Sequence, residues 1–253
     1  MDQPLIDRAS AQLLAVRRGG PPLAGLGADA PADLPTAFGI QLAVLRGTGG
    51  MIGGWKCAAV PDKQATGAML DARGVLPGPA QWFVPRGQKI GLETEIAFRV
   101  CDRLPGLGRP YTRDEVLAAM DGCCPAVELV ASRYQDPAKA SVFEAVADNV
   151  AHDGMVFGAD VPGWRDMDLA KLTVRQTHAG AVQVEKVGGN PAGDPIISLT
   201  WLANFLPSIG LALEPGQMVI TGSCTGLTWV DAGDAMRGEF LEFGGVDVTL
   251  VPA

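Results

Sequence analysis

Apolar positions recur at helical spacing near the start of the chain. Ile6, Ala9, Leu13 and Leu14 fall on one face of residues 4–17, and GGPP at 19–22 ends that segment. A second helix is predicted after Asp33-Leu34-Pro35, with Ala37, Ile40, Val44 and Leu45 in register. Beyond it the period shortens. The glycine-rich stretch GTGGMIGGWKCAAV (47–60) leads into a strand at its end, and residues 88–100 read as one long strand. Thr112 and Glu115 stand in capping-box register at the start of a short helix over 112–120. AVELVASRY (126–134) is rich in β-formers, whereas FEAVADNVA (143–151) reads as helix. KLTVRQTHAGAVQVEKV (171–187) alternates on both sides of a glycine-containing turn, which predicts a hairpin. Asp194-Pro195 caps a further helix, MVITGS (218–223) is a strand, and EFLEFGGVDVTLV (239–251) is a strand pair around Gly244-Gly245.

Helices therefore cluster early and strands late, with no regular βαβ alternation. This order predicts an α+β fold with a mixed sheet. The expected division is a helical N-terminal lobe, 1–65, and a β-rich body, 66–253, joined as one continuous unit. The longest uncharged stretch, IISLTWLANFLPSIGLAL (196–213), is interrupted by Asn204, Pro207 and Gly210 and has no basic flanks, so a buried helix is expected rather than a membrane span.

Charge and composition narrow the function. The 253 residues carry a net charge of -8, and no Lys/Arg run exceeds two, so a nucleic-acid or anionic-membrane partner is not expected. The five cysteines form an odd set without zinc-ribbon spacing, as free thiols in a reducing compartment do. The opening MDQPLIDRAS has no basic segment followed by an apolar core, and a cytoplasmic location is the expectation. With only His152 and His178 present, multi-histidine metal sites are excluded.

Four places carry candidate chemistry. Glu93 and Glu95 lie two apart in GLETEIAFRV and so share one face of a strand. A solvent-facing edge explains a lone pair of this kind, but the other face, Leu92, Ile96 and Phe98, is apolar and Ala97 continues the glutamate face. Like charges this close repel, and a hard divalent cation such as magnesium would turn that cost into binding. Glu128, inside the apolar run PAVELV, is the candidate third carboxylate, with a pairing to Arg133 or another base as the alternative. Lys56 in GGWKCA is a candidate acid/base if desolvated, or a snorkelling surface lysine. TGSCTG (221–226) matches a cysteine nucleophile elbow, but both histidines lie upstream and LTWVDAGDA is a poor elbow helix, so Cys224 reads as a small buried side chain. Asp148 and His152, four apart on the helix predicted there, are a possible acid/base pair; His152 at the helix end also suits a capping role.

Taken in order, TAFGIQ, GGWKCA, LETEIAFRV, PAVELVASRY, VADNVAHDGMVFG, WLANFL and LEPGQMVITGSCTG span nearly the whole chain. This ordered set resembles the fumarylacetoacetate hydrolase superfamily, in particular its branch of hydratases and decarboxylases acting on 2-keto-4-pentenoate and 4-oxalocrotonate. The resemblance implies a mixed-sheet β-roll, a magnesium or manganese ion on Glu93, Glu95 and Glu128, and an active-site lysine at Lys56. It places Ser223 and Thr225 along the substrate pocket. It also implies a small 2-oxo or 2-hydroxy-dienoate substrate, a homo-oligomer, and a hydratase that forms a 4-hydroxy-2-oxo acid in aromatic-compound catabolism. Decarboxylation of a 2-oxo diacid, C–C hydrolysis of an acylpyruvate, or a non-catalytic binding role are the alternatives. The chain departs from the pattern in Cys57-Ala58-Ala59-Val60 after the lysine, in Thr94 between the glutamates, and in His152, where a small residue is expected.

Overall fold

The computed structural model describes residues 2–85 and 87–253. Helices α1 (Gln3–Arg17) and α2 (Leu34–Gly47) come first, each with an aspartate cap and a proline in its first turn. Strands β1 (Ile52–Ala58), β2 (Thr66–Asp71), β3 (Val75–Pro77), β4 (Ala80–Val84) and β5 (Lys89–Val100) follow. Then come α3 (Arg113–Ala118), β6 (Met120–Val130), α4 (Val142–Ala147) and β7 (His152–Phe157). The hairpin β8 (Thr173–His178) and β9 (Ala181–Val187) precedes α5 (Pro195–Phe205), and β10 (Met218–Ile220), β11 (Thr228–Asp231), β12 (Ala235–Phe240) and β13 (Gly244–Pro252) complete the chain.

Among the described residues the strands form two mixed sheets. The larger has the order β2-β1-β10-β5-β6-β7-β3, with β11 paired to the start of β5. The smaller has the order β4-β13-β12-β8-β9. This is the α+β architecture expected from the pattern. β1 lies inside the larger sheet, parallel to β10 and antiparallel to β2.

The two faces of the larger sheet are covered differently. Trp55, Met69, Ile96, Phe98 and Val219 point outward into a core shared with Ile6, Leu13, Phe38 and Leu202 of α1, α2 and α5. Leu92, Val127 and Leu129 pack against Met236, Val246 and Val248 of the smaller sheet. Gly238 of β12 makes that approach possible, since a Cβ there would stand 2.7 Å from Val127 Cγ2 and 2.8 Å from Thr94 Oγ1. The inner face carries Leu70, Ala97, Cys124, Ala126, Met155, Met218 and Ile220, which bury one another. Several of these are small, and a sheet with small inward side chains can curl tightly around them.

Several short elements are absent from the sequence expectations. β2, β3 and β4 lie where no strand is predicted; β2 is buried on both faces and so shows no alternation. The helix expected over 143–151 stops at Ala147. Asn149, Val150 and Ala151 have φ of 54°, 50° and 59°, a left-handed run that turns the chain directly into β7. For L-residues such backbone costs roughly 1–2 kcal/mol each, and tertiary contacts must offset it. Asn149 supplies one: its Nδ2 donates to Met69 O of β2 at 2.9 Å. The buried Gln41 of α2 joins the same seam, donating to Gly67 O and Val146 O and accepting from Met69 N. The stretch 196–213 contains α5, of 11 residues, and among the described residues no helix is long and apolar enough to cross a membrane.

Candidate active site

The curl of the larger sheet brings distant strands together on its inner face. Lys56 pairs in register with Ile220 of β10, and Ile220 with Ala97 of β5. Glu93 of β5 stands directly opposite Glu128 of β6. In a flat sheet β1 and β6, three spacings apart, would lie roughly 14 Å from each other, with side chains standing perpendicular to the plane. Yet Lys56 Nζ donates to both carboxylate oxygens of Glu128, at 2.6 and 2.8 Å. Curvature, rather than strand adjacency, makes this contact.

Carboxylate oxygens of Glu93, Glu95 and Glu128 all lie within 4.8 Å of one another. Glu128 is fully buried and Glu95 is 1% exposed, while Glu93 is half-buried. Gly222, with φ of 113°, turns its N–H onto Glu95 Oε2 at 2.7 Å. Val150 O, at the centre of the left-handed run, accepts from Lys56 Nζ at 3.3 Å. His152 Nδ1 lies 2.7 Å from Glu128 Oε1.

Burial and mutual repulsion set the charge states. Burial, reinforced by Glu128 and Glu93, pushes the Glu95 carboxyl well above the usual range. Burial also raises Glu93, with Lys56 and the Ser223 hydroxyl opposing and Glu128 adding to the shift. Glu128 is buried as deeply, but Lys56 and His152 outweigh that penalty and hold it at about 2. Burial opposes the Lys56 charge, and the three glutamates more than compensate, keeping the ammonium above its ordinary range. Burial lowers His152 against the pull of Glu128, so its neutral ring donates from Nδ1.

Other sequence candidates fall elsewhere. Asp148 does not share a helix face with His152. It forms a buried pair with Arg133 and accepts from Ser132 Oγ at 3.0 Å, so Arg133 is not the partner of Glu128. Ser223 borders Glu93 and accepts from Gly226 N at 3.0 Å. Thr225 Oγ1 accepts from Thr94 N at 3.0 Å and donates to Gly226 O, which ties its hydroxyl to the backbone. Cys224 is buried and its thiol is pushed up to about 12 by desolvation, unlike a nucleophile. Sequence reasoning missed the Val150 carbonyl, the Gly222 N–H and the Gln41–Asn149 seam. Backbone groups leave no compositional mark, although Gly222 beside a strand end was a visible turn signal.

The profile of the family "Fumarylacetoacetate (FAA) hydrolase C-terminal" matches residues 59–251. The chain belongs to the fumarylacetoacetate hydrolase family. Among curated relatives in this family, 2-hydroxyhexa-2,4-dienoate hydratase of Comamonas testosteroni is 33% identical over 56% of the chain and 53% of the relative. A 4-oxalocrotonate decarboxylase of Pseudomonas putida is 31% identical over 63% of the chain and 60% of the relative. The chain thus spans little more than half the length of these relatives. The solved structure of 4-oxalocrotonate decarboxylase from Pseudomonas putida G7, complexed with magnesium and adipate, superposes with a TM-score of 0.85 over 99% of this chain and 98% of that one. At 22% identity it shows the shared fold.

Proposed function

We propose that the protein is a divalent-metal-dependent hydratase that adds water to a 2-hydroxy-2,4-dienoate and forms a 4-hydroxy-2-oxo acid. The carrying observation is the buried carboxylate trio, within 4.8 Å, with Lys56 held on one of its members. Its donors are hard oxygens, the preference of magnesium and manganese. Three carboxylates less one ammonium leave two negative charges, which a divalent cation neutralises. Glu93, Glu95 and Glu128 would hold magnesium, with manganese as the alternative. The bound cation would supply Lewis acidity, polarising the C2 oxygen of a 2-oxo acid and stabilising negative charge on it.

This chain's residues then manage protons and water. In the conversion of the dienol to the 2-oxo-3-enoate, the C2 hydroxyl loses a proton and C5 gains one. Lys56 Nζ, charged and aimed by Glu128 and Val150 O, is the group that supplies the proton at carbon. Water adds at C4 of the conjugated acid, and C3 takes up a proton. Ser223, beside Glu93 on the turn after β10, is positioned to contact the substrate. Exposed Phe83 of β4 and Val182 and Val187 of β9, on the two edge strands of the smaller sheet, support a homo-oligomer.

The test follows the ultraviolet loss of 2-hydroxypenta-2,4-dienoate with magnesium and with excess chelator. Turnover that stops in chelator is expected; unchanged turnover after complete metal removal would sink the mechanism. Carbon dioxide release from 4-oxalocrotonate, without hydration of the dienoate, would instead assign the decarboxylase activity carried by the Pseudomonas putida relative.

A further inference from the structure

His152 is the departure from the family pattern that reaches the carboxylate trio. The left-handed run at 149–151 delivers it to the first position of β7, where it is 5% exposed and opposite Val130. Its Nδ1 meets Glu128 Oε1 at 2.7 Å. It also lines a cavity of about 320 Å³ on the outer side of the seam between β2 and β7, with Arg17, Asn149 and Trp82. The contact from Nδ1 to Glu128 is its side-chain hydrogen bond among the described residues, and the ring borders the cavity.

Glu128 consequently receives three hydrogen bonds, two from Lys56 and one from His152. The two donors differ in kind. Lys56 sits on a flexible four-carbon stem and is the group whose proton moves in the reaction proposed above. The imidazole is a rigid, nearly buried ring with two side-chain torsions.

We propose, resting on the metal reading above, that His152 is a positioning residue whose Nδ1–H fixes Glu128 so that its remaining lone pair faces the cation shared with Glu93 and Glu95. The engagement of Nδ1 by Glu128 supports positioning rather than acid/base work on substrate. Outer-shell donors of this type tune metal affinity, typically by about 10–100-fold.

Calorimetric titration of the metal-free protein with magnesium tests this, using His152→Asn, His152→Gln and His152→Ala. The Asn amide nitrogen occupies nearly the place of Nδ1, whereas the Gln nitrogen reaches past it. His152→Asn is expected to hold magnesium within about threefold of the wild type, and the other two to weaken it about 10–100-fold. In steady state the magnesium requirement should rise by more than kcat falls. If His152→Ala does not fold, the Asn and Gln variants, checked by circular dichroism melting, carry the comparison. Equal affinity in Asn and Gln variants, or lost turnover with unchanged magnesium binding, overturns the proposal. Glu95→Gln separates this from the underlying reading. Loss of binding in Glu95→Gln with none in the His152 variants overturns the role of His152 alone. A wild type that takes up no magnesium overturns both.

Discussion

At the scale of single residues, Glu95 shows how a site can be built against the stability of its own fold. It is buried beside two other carboxylates, and burial raises its pKa well above the usual range. Ionising it without a cation costs stability, since a buried like charge is poorly solvated. Glu95→Gln is therefore expected to stabilise the metal-free protein by about 1 kcal/mol, or about 2–4 °C for a chain of this size. The same variant should lose the stabilisation that magnesium confers. Thermal melts in chelator and in magnesium check both signs; a variant less stable than wild type in chelator would contradict the account. Glu128 takes the opposite position, because Lys56 and His152 compensate it directly. Two glutamates on neighbouring strands thus have their pKa values pushed in opposite directions by their partners rather than by their depth.

At the scale of elements, the left-handed turn between α4 and β7 is held by its neighbours. Asn149 and Gln41 tie it to β2 through buried backbone groups, and the result places Val150 O on Lys56 and His152 on Glu128. Gln41→Leu keeps the size of the side chain but leaves Met69 N, Gly67 O and Val146 O without their partner. An unsatisfied buried group costs about 1–3 kcal/mol, so this variant should lose at least about 3 kcal/mol in urea unfolding. Its activity should fall further than stability alone explains, because the turn no longer fixes both Lys56 and Glu128. The helix expected over 143–151 failed for the same reason. Residues 149–151 have ordinary side chains, and only the seam with β2 and α2 forces them out of the helix.

At the scale of the molecule, the curled sheet encloses both the carboxylate trio and an apolar cluster on its inner face. Binding a cation only to the folded state should stabilise the whole chain. At 100 times its dissociation constant, magnesium is expected to add about 2.7 kcal/mol, read as a rise in melting temperature that chelator reverses. A melting point indifferent to both additions would deny the trio its metal. The sequence alone determined the α+β class, the order of the long elements, and the presence of two glutamates on one strand face, because periodicity and spacing are local properties. It also marked Glu128, since a charge within an apolar run demands a partner. Which partner was a tertiary matter. Lys56 rather than Arg133 reaches Glu128 because the sheet curls around inward side chains contributed by five strands, small ones on β5 and β6 among them. Likewise the short strands β2 to β4, the turn that carries Val150, and the meeting of His152 with Glu128 depend on contacts between segments far apart in the chain, which no local pattern encodes.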